Sequence, residues 1–141
     1  MKKLTRLPDW DRRLAAVTAR HMQTRPVWGQ SDCLLRVADA VEAVTGEDLA
    51  AEIRGKYSSE IGAAKQLRKK KCDDVWQLLS KYFQPVGRLM AQRGDIVIIE
   101  QDGEIAAGFV TEYGVAITTP HGTMFRDQTD PSIRAALKVG R

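Results

Sequence analysis

The spacing of apolar residues changes at Gly94, and this change constrains the fold more than any other feature. Before it, apolar residues recur at helical spacing, while after it short β-branched runs alternate with turn signals. Helices followed by antiparallel strands predict an α+β domain with its helices packed on one face of a sheet. We predict one domain over residues 1–141, with a helical part at about 8–84 and a sheet part at about 92–139.

Local signals divide both parts into elements. We predict two longer helices, from Pro8-Asp9 to about Met22 and from Ser31-Asp32-Cys33 to Gly46, and short helices at 50–54, 61–70 and 75–83. We predict a meander of strands at 95–100, 105–111, 115–119 and 123–126, followed by a helical turn or a last strand at 133–139.

The charge pattern is mildly basic, with a net charge of +4 and a pI of about 9.2. Its clearest source is the run from Arg68 to Lys71. We interpret this run as a solvated helix end, because it has no interleaved aromatic residues or groove-binding motif. The sequence therefore predicts no nucleic-acid partner.

The N-terminus is basic but is not followed by the apolar stretch of a secretory signal. No run approaches the roughly 20 apolar residues that a membrane helix needs. We therefore expect no membrane span, and synthesis in the cytoplasm unless a larger particle carries the protein elsewhere.

Cys33 is the strongest candidate for chemistry. A cysteine in the first turn of a helix faces unpaired N–H groups and the positive end of the helix dipole, which stabilise a thiolate and lower its pKa. The same N–H groups can bind an oxyanion. The local pattern leaves a nucleophile and a small buried side chain equally open. Cys72 is interpreted as an incidental thiol, and the absence of a Cys-x-x-Cys pair predicts no metal site.

Three segments together resemble a known family. Residues 28–33, with Trp28-Gly29 before Asp32-Cys33, resemble the nucleophile motif of NlpC-type papain-like cysteine peptidases. Residues 93–97, Arg-Gly-Asp-Ile-Val, resemble the Gly-Asp strand of that superfamily, and residues 106–117 can be laid along its next hairpin. The resemblance covers roughly residues 8–45 and 92–119. It implies a papain-like fold with Cys33 at the nucleophile position and no cofactor.

The resemblance fails at the general base. Active members of the family carry a histidine where this alignment has Ala106, and the polar residue that orients the base falls at Thr118. Alanine cannot accept a proton, so the resemblance implies the fold more than the activity. Of the two histidines, His121 is a candidate base and His21 a weaker one, while a solvated turn is the blander interpretation of His121.

Other residues near the motif have two interpretations each. Asp32 is either a helix cap, which we favour, or a catalytic group. Trp28 is a core or rim aromatic, or part of a substrate cleft. Tyr57, in the segment 54–57, is a further candidate for that cleft beside Cys33.

A second resemblance concerns context. Trp28-Gly-x-x-Asp-Cys33, Thr45-Gly-Glu-Asp48 and Arg54-Gly-x-Tyr57 together resemble small proteins of bacteriophage and prophage tail modules that lack the usual histidine. This implies a tail-tip or tail-assembly protein, with other tail-tip proteins and peptidoglycan as partners, made in the host cytoplasm and carried in the virion tail.

Three hypotheses follow. The first is a structural, catalytically degenerate tail component. The second is an active cysteine peptidase or amidase on peptidoglycan stem peptides, in which Cys33 attacks the amide and His121 or a partner chain supplies the base. The third is a cytoplasmic module that binds a small ligand.

Overall fold

Helices cover one face of an antiparallel sheet, which confirms the α+β prediction. The computed structural model describes residues 4–140. Within that range the helices are α1 (Trp10–Met22), α2 (Cys33–Thr45), α3 (Glu60–Lys69) and α4 (Val75–Ser80). The strands are β1 (Pro85–Val86), β2 (Ile96–Gln101), β3 (Glu104–Thr111), β4 (Gly114–Thr119), β5 (Gly122–Arg126) and β6 (Ile133–Leu137).

The central helix α2 begins and ends where its sequence signals predict. Asp32 caps its N-terminus by accepting a hydrogen bond from the backbone N–H of Leu35, and Gly46 ends it in the left-handed conformation at φ 84°. Most of the helix is buried, because its apolar side chains pack against both the sheet and α1.

The four predicted strands form the predicted meander, β2-β3-β4-β5, and the sheet continues beyond it at the β2 edge. The sheet runs β1-β6-β2-β3-β4-β5, so the last strand lies between the first and the second. The reason is visible in β2, whose residues Ile96–Ile99 are all buried. Such a strand needs a hydrogen-bonded neighbour on each edge, and β3 and β6 supply them. Within the segment at 133–139, residues Ile133–Leu137 therefore form a strand and not a helical turn.

The two faces of the sheet support separate apolar clusters. The helix-facing cluster contains side chains of α1, α2 and α4 together with sheet residues Ile96, Ile98, Ala107, Phe109, Ala116 and Leu137. The opposite face buries Val97, Ile99, Val110, Val115, Ile117, Ile133 and Ala136, with Ala106 packed against them. Alternation along each strand thus decides which side chains can meet the helices.

The region between α2 and the sheet is the least regular. Residues 50–54 form turns instead of the predicted short helix, and α4 ends at Ser80, before the predicted limit of 83. The two-residue strand β1 was not predicted. α3 agrees with prediction but contributes no buried side chain, so it lies at the edge of the domain.

Candidate functional site

Asp32 is the centre of the site that holds the N-terminus of α2. Its side chain is 5% exposed and accepts three hydrogen bonds. The donors are the backbone N–H of Gly29 at 2.9 Å, that of Leu35 at 3.2 Å and the hydroxyl of Tyr57 at 2.6 Å. The carboxylate therefore joins the residues before the helix, the helix itself and the loop at 54–57.

Gly29 permits this junction because it has no side chain. Its φ is 82°, and a Cβ at this position would collide with the carbonyl oxygen of Tyr57. The carbonyl of Gly29 in turn accepts a hydrogen bond from the backbone N–H of Gly55 at 2.8 Å. The Trp-Gly-x-x-Asp-Cys and Arg-Gly-x-Tyr segments thus meet directly, and both glycines belong to the contact.

Cys33 begins α2 and is partly buried. Burial raises the pKa of its thiol, and the negative charge of Asp32 raises it further. The backbone amides of Ala107, Leu34 and Cys33 itself act in the lowering direction, as the helix N-terminus was expected to do. The expectation of a lowered pKa is wrong, because the loss of solvation outweighs these amides. The resting group is a neutral thiol.

The alanine opposite the helix is one residue further along β3 than expected. Ala106 pairs with Ile99 and faces the cluster on the far side of the sheet. Ala107 pairs with Ile98 and lies in the helix-facing cluster, and its backbone amide influences the Cys33 thiol. Ala106 therefore does not face the helices, whereas Ala107 does, and neither alanine can accept a proton.

The two histidines lie in very different places. His121 is exposed in the turn between β4 and β5, where its backbone N–H donates to the Thr119 hydroxyl. His21, at the end of α1, is 4% exposed, and its Nε2 lies 2.9 Å from Asp39 Oδ2. His21 is thus engaged with the middle of α2 and not with the Cys33 thiol.

A polar network around Asp39 is the part of the site that the sequence did not indicate. Asp39 also binds Arg54, whose guanidinium lies 2.7 Å from Oδ1 and contacts Asp48 at 2.8 Å. The hydrogen bond from His21 and the charge of Arg54 hold the pKa of Asp39 below its usual value, against the effect of burial. These residues are far apart in the sequence and carry no common spacing, so only the fold brings them together.

Arg36 is the second unpredicted member of this region. It is 2% exposed and donates to the carbonyls of Ser31, His21 and Thr24 and to the Thr123 hydroxyl, the last at 2.7 Å. One buried guanidinium therefore ties α1, α2 and β5 together. The sequence around Arg36 gives no indication of this role, because its hydrogen-bond partners lie mostly in other elements.

Tyr57 and Trp28, the other residues predicted for a substrate cleft, lie in different environments. Tyr57 lies against Asp32, and its pKa is raised by burial, by Asp32 and by the nearby Cys33. Trp28 is 42% exposed in the loop before α2, and Cys72 is buried at 2% exposure away from the site. Among residues 4–140, no group of three His, Cys, Asp or Glu side chains could hold a metal ion. No helix in the same range has the length and apolar character to cross a membrane.

An apolar cavity of about 40 Å³ lies on the other side of α2. Side chains of α2, of the 49–53 turns and of α4 line it, and Glu52, Lys70 and Tyr82 are its polar members. Glu52 and Lys70 form an ion pair at 3.4 Å. The cavity is separate from the Asp32 junction, and most of its lining is apolar.

Comparison with known proteins gives one result at the level of the family. No curated protein matches the chain. A family described as a domain of unknown function, DUF6950, matches residues 5–139. The match includes the Asp32 junction, the Asp39 network and every strand of the sheet. The chain therefore belongs to the DUF6950 family.

Proposed function

We propose that the protein is a catalytically degenerate NlpC-like domain that serves as a structural part of a bacteriophage or prophage tail tip or of its assembly. The proposal begins from the resemblance of the segments at 28–33, 54–57 and 93–97 to that superfamily and to its tail-module members. The proposed partners of the protein are other tail-tip proteins. Its papain-like character rests on the order of these segments and on the cysteine at the start of a helix packed against a sheet.

The proposed loss of catalytic activity rests on the surface opposite Cys33. Acyl transfer by a cysteine needs a base within hydrogen-bond reach and a thiol that readily ionises. β3 presents Ala107 to the helix side, and burial and Asp32 raise the pKa of the thiol. Both conditions for a nucleophile are therefore opposed by the residues around it.

The proposed structural role is supported by the contacts of the motif residues within the domain. Asp32, Gly29 and Tyr57 are engaged with one another instead of facing a substrate. Asp95, of the Arg-Gly-Asp segment, is fully buried and binds Arg6 and two backbone amides. The family-like residues are thus used to build the domain, which is what a retained scaffold without turnover requires.

The decisive test is a turnover assay on purified peptidoglycan fragments, with the Cys33→Ala variant beside the wild type. We expect no release of stem-peptide products from either protein. Cleavage by the wild type that disappears in Cys33→Ala would overturn the degenerate assignment. It would favour the active peptidase or amidase, with its base supplied by His121 or a partner chain. The His121→Gln variant separates these two sources. It loses activity if His121 is the base and keeps activity if a partner chain supplies the base.

The tail assignment needs its own test, since loss of catalysis does not imply a tail. We expect an epitope-tagged copy, expressed from its native locus, to co-sediment with assembled tails after induction and to be labelled at the tip by immunogold. A chain found only in the free fraction, with particles assembling normally in its absence, would contradict the assignment.

A small-ligand module is the second candidate, and the apolar cavity beside α2 is the observation that favours it. NMR titration with a small apolar compound such as benzene tests this hypothesis. Saturable binding lost in Ala50→Leu, which fills the cavity, but retained in the exposed control Ala64→Leu would support it. Equal weak binding by all three proteins would exclude it.

A further inference from the structure

His21 has one ring nitrogen without a partner in the interior of the domain. Nε2 lies 2.9 Å from Asp39 Oδ2, whereas Nδ1 is buried and makes no hydrogen bond with the described residues. The ring packs edge-on against Phe109 with centroids 6.1 Å apart, so its orientation is fixed by contacts on two sides. A buried polar atom without a partner is costly, and native proteins rarely leave one so.

The hydrogen bond to Asp39 determines what Nδ1 can accept. Asp39 also binds Arg54 and is held ionised, so its oxygens act only as acceptors. Nε2 must therefore carry the proton. Burial lowers the pKa of His21, which keeps the imidazole neutral and leaves Nδ1 as a bare acceptor. Whatever satisfies this atom must be a hydrogen-bond donor.

The protein groups nearby have their protons committed elsewhere, with one exception. The Thr18 hydroxyl donates to the Leu14 carbonyl and the Thr123 hydroxyl to the His21 carbonyl. The described hydrogen bonds of Arg36 go to backbone carbonyls and threonine hydroxyls. The Thr118 hydroxyl, in contrast, makes no hydrogen bond to any residue in the range 4–140.

A small cavity connects these groups. Its volume is about 10 Å³, and His21, Thr18, Arg36, Thr118 and Thr123 contribute its polar lining. A single water molecule needs roughly 10–15 Å³ measured in this way, together with two or more polar partners. The measured volume is therefore at the lower end of what one water molecule needs.

We infer that this cavity binds one water molecule, which donates a hydrogen bond to Nδ1 of His21 and bridges it to the hydroxyl of Thr118. The water completes a connection from Asp39 on α2 through His21 on α1 to β4 in the sheet. Thr118 was identified by resemblance as the position that orients a catalytic base. Here it takes part in hydrating a buried structural histidine. The inference does not depend on the proposed function.

Solution NMR of uniformly ¹⁵N-labelled protein tests the inference at its central atom. We expect the His21 ring to show a protonated Nε2 and an unprotonated Nδ1, with a rotating-frame Overhauser contact between a long-lived water and the neighbouring side chains. A crystal structure should show an ordered oxygen about 3 Å from Nδ1. A protonated Nδ1, or a cavity without ordered density, would overturn the inference.

Substitutions at Thr118 test the bridge. Thr118→Val removes the hydroxyl and is expected to lose the water contact, whereas Thr118→Ser keeps the hydroxyl and should retain it. Thr5→Val, at an exposed threonine, is the matched control and should change nothing at His21. A water that persists unchanged in Thr118→Val would disprove the role of Thr118. If Thr118→Val does not fold, Thr118→Ala decides the same point, because it also lacks the hydroxyl and should also lose the water contact.

Discussion

Two buried aspartates, Asp32 and Asp95, are held in different ways. Asp32 accepts hydrogen bonds from two backbone amides and a tyrosine hydroxyl, and none of these donors is charged. Asp95 accepts from the amides of Gln92 and Val139 and also binds the guanidinium of Arg6 at 3.1 Å. Both carboxylates belong to segments that resemble a peptidase family, yet both are used to hold the chain together.

The difference shows how each region is stabilised. Asp32 joins neighbouring segments at a helix N-terminus, whose dipole favours its charge. Asp95 joins segments from both ends of the sequence, and an opposite charge offsets the cost of its burial. Loss of Asp95 should therefore weaken the whole domain, while loss of Asp32 should weaken mainly the region around α2.

The largest effect is expected for Asp95→Ala. Removing one partner of a buried charged pair costs about 3–5 kcal/mol, and here two backbone amides lose their acceptor as well. The free energy of unfolding, measured by urea denaturation, should fall by this amount. Glu112→Ala removes an exposed acid and should leave it within about 0.5 kcal/mol of wild type. A loss below about 1 kcal/mol in Asp95→Ala would mean that Arg6 and the amides find other partners.

A smaller loss is expected for Asp32→Ala, of about 2–3 kcal/mol, because a helix cap disappears and buried neutral donors are left unpaired. Urea denaturation gives the total, and amide hydrogen exchange should show the loss of protection concentrated at the start of α2. Asp32→Asn retains an acceptor oxygen and should be closer to wild type. Uniform loss of protection across the sheet would contradict the local role of Asp32.

Tyr57→Phe isolates one bond of the Asp32 junction. The ring stays and only the hydroxyl is removed, so the expected loss is about 1 kcal/mol in the free energy of unfolding. Tyr113→Phe, at a tyrosine that is 59% exposed, is the control and should be neutral. If both variants behave alike, the 2.6 Å contact of Tyr57 with Asp32 contributes no net stability.

The smallest effect concerns pH. The pKa of His21 is lowered by burial, so between pH 7 and pH 6 the unfolded chain binds more protons at this residue than the folded one. Stability should therefore decrease as the pH falls through the ordinary histidine range, by less than about 1 kcal/mol over this unit. Asp39, whose pKa is also lowered, contributes stability that is lost only at lower pH, near the carboxylate range.

The measurement is a series of urea denaturations in which wild type is compared with His21→Gln and His121→Gln. The slope between pH 7 and pH 6 should disappear in His21→Gln and persist in His121→Gln. Retention of the slope in His21→Gln would show that another group causes it, and would place the pH-sensitive part of the domain away from the α2 side.

The elements were predictable where the sequence signals are local. The capping residue Asp32, the stop at Gly46 and the β-branched run of β2 each act within a few residues, and α2 and β2 are found where these signals placed them. The insertion of β6 beside β2 was not predicted, because a strand's partner is chosen by the burial of the whole sheet and not by its own residues.

The site was predicted in part for the same reason. Trp28-Gly29…Asp32-Cys33 marks a helix start that the structure confirms, but the thiol pKa depends on burial, which no local motif records. Ala106 was expected to face Cys33 but lies on the far face of the sheet, because the period of a strand is two and a shift of one residue exchanges its faces. Arg36 and Asp39 carried no signal, since their partners come from distant segments.

The position of β6 beside β2 has a consequence for synthesis. β2 carries an unbroken run of buried Ile and Val, and one of its edges pairs with Ile133–Leu137. Until Ile133–Leu137 have left the ribosome, that edge offers unpaired amides and carbonyls to any strand nearby, including one from another nascent chain. The protein should therefore depend on chaperone protection until β6 has been made, and truncation before Ile133 should yield aggregates instead of a smaller folded domain.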